Sequence, residues 1–355
     1  MNYKETSIPE YKYRVKDYSI VTPWFRESIV RPLLAYVHWR IPANYITLGS
    51  NLFMFAALLL SMFSGENRYV FLLVPVLVFS YVIGDHLDGM QAKRTGTSSA
   101  LGEFFDHFLD IFNNGILVMI VCSLMNVSPW IFIICLAVSY IAHSAIFFEQ
   151  LKTGWLIFEK FGALEAVILI LLIIASLYFI PVHEMLLSPA YMQVTWFELF
   201  MLASASIALI TWVKTIFRVK AVNSKYVSFV IGMIVLMAVL IPGVNSLNAF
   251  VIITLFSAVY IGNNQRSHLT GMRENWPDFI VPVVLVISFY TELYFESITT
   301  FAIIYLTIRV LWIAYTTINI LQRYWMWRNP EIGPAAFVSE PEPDQEVLII
   351  SSKNH

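Results

Sequence analysis

Residues 69–125 read YVFLLVPVLVFSYVIGDHLDGMQAKRTGTSSALGEFFDHFLDIFNNGILVMIVCSLM, two long apolar runs joined by a Thr/Gly/Ser-rich turn, with acidic residues on both sides of it. Each run is near the roughly 20 residues an α-helix needs to cross hydrocarbon. The pattern recurs along the chain, and about ten such runs fall near 44–64, 69–94, 98–125, 129–151, 161–181, 194–214, 225–242, 246–263, 276–295 and 298–325. With 58% hydrophobic and 13% charged residues in 355, too little polar surface remains to cover a water-soluble globule. The expected fold is an all-α, polytopic integral membrane helix bundle of about ten spans.

The first forty residues are charged and aromatic rather than a basic stretch followed by an apolar core, so the first span is expected to anchor the protein. Cys122 and Cys135 both fall within apolar runs, where thiols act as small hydrophobes and suggest neither a disulfide framework nor a zinc site. Basic residues set the orientation. With ten spans, both ends and alternate loops hold the Lys and Arg residues outside the membrane, while Arg68 stands alone in the opposite loops. By the positive-inside rule both termini are cytoplasmic. The formal charge of −2 says little about partners, and no feature calls for nucleic acid.

Residues 24–40 (WFRESIVRPLLAYVHWR) mix aromatic and aliphatic residues with Arg26, Arg31 and Arg40, a pattern suited to a headgroup-layer helix that Pro32 bends. Residues 326–355 are rich in Pro and acidic residues and read as a disordered cytoplasmic tail. The expected organisation is an N-terminal interfacial segment (1–43), a helix bundle that carries the acidic hairpin (44–215), additional helices (216–325) and the tail.

On a helix, Asp85, Asp88 and Ala92 share one side, as do Gly102, Asp106 and Asp110. The turn at Thr95–Ser99 folds the two helices back as antiparallel neighbours, so four carboxylates face one another at the cytoplasmic end of the bundle. Ionised carboxylates are expensive at membrane depth unless a cation or polar cavity compensates them. Oxygen-only ligation favours Mg²⁺, Mn²⁺ or Ca²⁺ over zinc. Small residues at Gly89, Ala92 and Gly102 let a bulky ligand approach the backbone. A nucleotide diphosphate suits such a site, with Lys93 or Arg94 adding positive charge. Helix-end carboxylates facing water, with small residues serving close packing, are the simpler alternative.

These residues resemble the signature of the CDP-alcohol phosphotransferases, D-x2-D-G-x2-A-R-x8-G-x3-D-x3-D, and meet every fixed position from Asp85 to Asp110 except one. Lys93 stands where Arg is usual. Arg94 follows, but one residue turns a helical side chain by about 100°. Asp106-His107 and Gln91-Ala92-Lys93-Arg94-Thr95 look like the larger choline and ethanolamine phosphotransferases, as does the weaker downstream pattern of Glu149, Thr153-Gly154 and Gly162-Ala-Leu-Glu165.

The resemblance implies that a lipid hydroxyl, such as that of diacylglycerol, attacks the β-phosphorus of a CDP-alcohol and releases CMP. It implies two Mg²⁺ or Mn²⁺ ions on Asp85, Asp88, Asp106 and Asp110, a general-base role for Asp110, and a CDP-alcohol site that includes Asn44, Asp85, Gly89, Ala92, Lys93 and Gly102. Asn44 and Thr47 resemble the family's Pro-Asn-x-x-Thr element, although capping alone explains an Asn there. His107 is the alternative base, whereas His86 points elsewhere on its helix. Glu149 and Glu165 are candidates for the substrate route or for recognising a cationic headgroup, against ordinary solvated charges. Arg309 is an intramembrane charge expected to pair with Glu292 or Glu296. Membrane lipids are the surroundings and a homodimer is an allowed assembly. Two other functions are open: phosphatidyl transfer from CDP-diacylglycerol to a small alcohol, and divalent-cation transport.

Overall fold

The computed structural model describes residues 13–63, 65, 67–220 and 222–321. The expected tail, 326–355, lies outside the described residues, as do residues 1–12. Among the described residues, eight helices are long and apolar enough to cross a membrane: α3 (Ala43–Phe63), α4 (Val70–Thr95), α5 (Ala100–Met125), α6 (Pro129–Thr153), α9 (Trp196–Val219), α10 (Ser224–Gly243), α11 (Ser246–Thr270) and α13 (Phe295–Leu321). The fold is an all-α polytopic bundle. Helices α6 and α11 are the most enclosed, while α9 and α13 turn much of their apolar surface outward, as lipid solvation permits.

Two apolar runs differ from uniform spans. The run 161–181 divides into α7 (Ala163–Ser176) and α8 (Ile180–Leu187), which meet at 112°. Pro181 near the start of α8 ends the hydrogen-bond ladder, and Arg68 donates to the freed carbonyls of Leu177 (3.0 Å) and Tyr178 (2.8 Å). The lone cation of its loop is thus a helix-end cap. The run 276–295 forms only α12 (Ile280–Thr291), whose 12 residues are ended by Glu292 at φ 56°. At 1.5 Å per residue it is about 18 Å long, short of the ~30 Å hydrocarbon core.

The segment before the first span is helical over α1 (Thr22–Phe25), a π-helical turn (Arg26–Val30) and α2 (Arg31–Leu34), with Trp24, Leu33 and Tyr36 exposed. Pro32 sits in the first turn of α2, where it needs no backbone donor, so it does not break the run. Ahead of it, β1 (Val15–Asp17) pairs in parallel with β2 (Leu156–Phe158) after α6. A small hairpin, β3 (Pro189–Tyr191) and β4 (Val194–Thr195), precedes α9.

Close helix approaches position the α4–α5 hairpin. A Cβ on Gly84 in α4 would lie 2.4 Å from the Ser50 Cβ in α3, so these helices touch backbone to backbone. A Cβ on Gly262 in α11 would lie 2.6 Å from the Phe108 ring in α5. The last helices therefore pack directly on the hairpin, with α11 against both α5 and α6.

Arg309 does not pair with Glu292 or Glu296. Its guanidinium donates to the Asp278 carboxylate (3.0 Å) and the Tyr305 hydroxyl (2.7 Å). Glu296 lies roughly 20 Å away along the axis of α13, whereas residues 271–279 fold back beside the middle of that helix and bring Asp278 to it.

Candidate active site

The hairpin is built by two caps. Gly96, at φ 63°, ends α4 in the left-handed region that glycine tolerates, and its N–H returns to the Ala92 and Lys93 carbonyls. Ser99 then caps α5, its hydroxyl accepting from the Gly102 N–H at 3.1 Å.

Across this hairpin, one carboxylate oxygen from each of Asp85, Asp106 and Asp110 lies within 4.8 Å of the others. Among the described residues no Lys or Arg forms an ion pair with the three. Asp85 has His86 Nδ1 at 3.5 Å, and Asp106 has His107 Nε2 at 4.0 Å. The Asp106 Oδ1 is buried without a hydrogen-bond partner, and Asp110 accepts from the Tyr81 hydroxyl at 2.7 Å. Three clustered acids with an orphaned oxygen fit a hard divalent ion. Asp88 is turned elsewhere: its buried carboxylate accepts from the Thr47 hydroxyl of α3 and lies outside the three-residue group.

Open space adjoins the acids. A Cβ on Gly89 would meet nothing within 4 Å, whereas one on Gly102 would come within 3.5 Å of the Asn44 Oδ1, so Asn44 stands at the foot of α5. The two cations at the end of α4 differ. Arg94 donates to the carbonyls of Leu34 and Val37, both at 2.7 Å, and to the Gln91 side chain, which ties α2 to α4. Lys93 is exposed and makes no hydrogen bond or ion pair with a described residue, leaving it available to an anion. Ala92 is half-buried one turn beyond Asp88.

His107 is buried against Tyr13 and Phe147 at ring-centroid distances of 6.1 and 5.4 Å. Its Nδ1 is 3.9 Å from Glu103, too far for a hydrogen bond. Ahead of the helices, Tyr13 lies beside His107, and burial, reinforced by the nearby Glu103 and Asp106 charges, raises its phenol well above the usual tyrosine range.

Glu149 and Glu165 each join two elements of the bundle. The fully buried Glu149 carboxylate receives both the Nη2 (2.7 Å) and Nε of Arg218, joining α6 to α9. Glu165 accepts from the Ser19 hydroxyl (2.5 Å), the Ile20 and Val21 N–H groups (3.0 and 3.1 Å) and the Gly162 N–H (2.9 Å), clamping the N-terminal segment to the start of α7. Tyr81 was not legible as a site neighbour, although it lies four residues before Asp85 on the same helical face.

Comparison with known proteins places this stretch in a family. The family model described as CDP-alcohol phosphatidyltransferase matches residues 40–217. Cholinephosphotransferase 1 of Xenopus laevis is 31% identical over 116 residues, 29% of this chain and 27% of that protein. Choline/ethanolaminephosphotransferase 1 of Arabidopsis thaliana is 33% identical over 111 residues, 29% of this chain and 28% of that protein. A CDP-alcohol phosphatidyltransferase class-I family protein of Dictyostelium discoideum is 32% identical over 111 residues, 30% of this chain and 26% of that protein. The matched stretch thus spans under a third of the length of each of these relatives.

Proposed function

Because the chain belongs to the CDP-alcohol phosphatidyltransferase family, we propose that it transfers phosphocholine or phosphoethanolamine from the CDP-alcohol to diacylglycerol or a related lipid hydroxyl. The observation that carries this reading is the convergence of Asp85, Asp106 and Asp110 with no Lys or Arg partner among the described residues, beside the open face at Gly89. The headgroup choice is supported by the relatives named for choline and ethanolamine transfer. The catalytic bundle is residues 44–215, and its acids face the cytoplasm.

In this mechanism the acceptor oxygen attacks the β-phosphorus, the bond from that phosphorus to CMP breaks, and CMP leaves. Asp85, Asp106 and Asp110 would hold Mg²⁺ or Mn²⁺, which supplies neutralisation of the diphosphate and of charge on the leaving CMP. Asp88, oriented by Thr47, supports the same face of α4. Lys93 pairs with a diphosphate oxygen, while Asn44, Gly89, Ala92 and Gly102 shape the nucleotide cleft. His107 makes no hydrogen bond to a described residue, so an imidazole nitrogen is free to take the acceptor proton, whereas Asp110 already accepts from Tyr81. An apolar groove of about 370 Å³ between α3 and α4, lined by Ile46, Gly49, Phe53, Ile83 and Leu87, suits an acyl chain beside Asp88.

The test is the purified chain incubated with CDP-choline or CDP-ethanolamine and diacylglycerol, and separately with CDP-diacylglycerol and inositol phosphate, glycerol phosphate or serine. CMP and the lipid product are measured together. Product from the first set alone supports the proposal, and product from the second alone reverses the lipid and headgroup roles. Divalent-ion uptake without CMP in either set overturns the enzyme reading.

A further inference from the structure

A second polar cavity lies on the flank of α11 that faces α13. It measures about 430 Å³ and is lined by Asn263, Arg266, Asn275, Trp276, Arg309 and Trp312. Its charges do not balance. Arg309 is paired with Asp278 at 3.0 Å. Among the described residues Arg266 reaches the Thr316 hydroxyl alone, at 3.3 Å through Nη1, and its buried Nε has no hydrogen-bond partner there. Among the described residues no carboxylate lies within ion-pair distance of Arg266. The Asn263 carbonyl oxygen is already used by the Asn275 amide at 3.1 Å, so the lining amides do not neutralise the surplus. Among the described residues, one guanidinium charge is thus left without a counter-ion in a cavity of a membrane bundle, where an unpaired cation is costly.

The depth of the cavity identifies what can supply the missing anion. Exposed Tyr290 and Tyr294 mark one end of the α12–α13 pair, and exposed Trp276, Trp312 and Tyr315 mark the other. From Phe295 to Trp312 is about 26 Å along the helix, close to the ~30 Å hydrocarbon thickness, so the two aromatic groups sit at opposite interfaces. On this scale the cavity lies just inside the Trp312 belt, within reach of a lipid phosphate drawn in from the interface. It is on the same side of the membrane as the carboxylate cluster, because Gly262, one turn before Arg266, abuts Phe108 between Asp106 and Asp110. Trp276 and Trp312 are 50% and 61% exposed, so the cavity opens sideways toward lipid.

We propose that this cavity is a binding site for the phosphate group of an anionic membrane phospholipid, held by the Arg266 fork with its acyl chains along α13. A phosphodiester carries one negative charge, which matches the single unpaired guanidinium, and the planar fork suits two phosphate oxygens. The site is separate from the acids of α4 and α5 and stands whether or not the transferase reading holds.

The experiment measures binding of labelled dioleoyl phosphatidylglycerol to the full chain in a neutral detergent, with dioleoylglycerol and inorganic phosphate as competitors. The wild type binds the phospholipid saturably, and neither competitor displaces it at equal concentration. Arg266→Gln weakens binding about tenfold or more, in line with the loss of charge-assisted hydrogen bonds. Asn275→Asp, which supplies the absent counter-ion and so relieves the unpaired charge, weakens it similarly and decides the matter if Arg266→Gln does not fold. Asp106→Asn leaves lipid binding unchanged. Wild-type affinity in Arg266→Gln or Asn275→Asp overturns the proposal, as does displacement by inorganic phosphate at equal concentration, which would mark a free-anion site.

Discussion

Gly84→Ala tests how tightly the packing of α3 on α4 sets the geometry of the acids. The added Cβ would stand 2.4 Å from the Ser50 Cβ and 3.5 Å from its Cα. Carbon pairs settle at about 3.5–4.0 Å, so the helices must part locally by roughly 1 Å. Overpacking of this kind costs about 1–3 kcal/mol. The strain falls one turn before Asp88 on α4 and one turn after Thr47 on α3, the pair whose hydrogen bond orients the Asp88 carboxylate. A displacement of about 1 Å at a reacting centre can lower turnover ~100-fold. Thermal unfolding in detergent together with CMP release should therefore show a lower midpoint and a large loss of rate at unchanged protein content. Ser50→Gly removes the opposing Cβ, and the double variant should recover most of the rate. Its stability returns only in part, since the new glycine weakens α3 by about 1 kcal/mol and the Ser50 hydroxyl loses its 2.8 Å bond to the Thr47 carbonyl. Wild-type midpoint and rate in Gly84→Ala, or a double variant no faster than the single one, would refute this reasoning.

Lys93→Ala should weaken CDP-alcohol binding and raise KM about tenfold while Lys93→Arg retains activity, as measured by nucleotide titration, because a charge near the diphosphate matters more than the particular cation. Glu149→Gln should lower unfolding stability by about 1–2 kcal/mol, because the part-exposed Arg218 loses its buried partner but keeps Glu159; a changed choline-to-ethanolamine preference at unchanged stability would instead mark Glu149 as a headgroup ligand. Tyr81→Phe removes the 2.7 Å hydrogen bond to Asp110, and CMP release at limiting Mn²⁺ should fall about tenfold, with partial recovery at excess metal. A Tyr81→Phe enzyme with the wild-type Mn²⁺ dependence would show that this contact does not orient the acid.

The bundle was legible because lipid solvation forces long apolar runs, and hydropathy records their length. It does not record direction. Leu177, Tyr178 and Phe179 are as apolar as the helices around them, so the 112° bend between α7 and α8 leaves no mark in the hydropathy. Its traces in the sequence are Pro181, which marks a helix start as readily as a break, and Arg68, whose role as a cap depends on a partner more than a hundred residues away. At the site, the three- and four-residue spacings read correctly as shared helical faces because both Asp sets lie on regular helices. The departure of Asp88 from the other acids depends on where α3 crosses, which the periodicity of α4 does not contain. The structural partners of Glu149 and Glu165 were hidden for the same reason: Arg218 and Ser19 are 69 and 146 residues distant in the chain. The Arg309 pairing failed on distance along the axis, since Glu292 and Glu296 sit at the opposite end of α13.

The most direct measurement is CMP release from CDP-choline or CDP-ethanolamine with diacylglycerol, followed as Mn²⁺ or Mg²⁺ is titrated into metal-stripped wild-type protein and Asp106→Asn. The account predicts no turnover without metal, saturable recovery in the wild type, and little recovery in an Asp106→Asn protein that unfolds at the wild-type temperature. Full turnover in chelator, or the same metal dependence in both proteins, would contradict it.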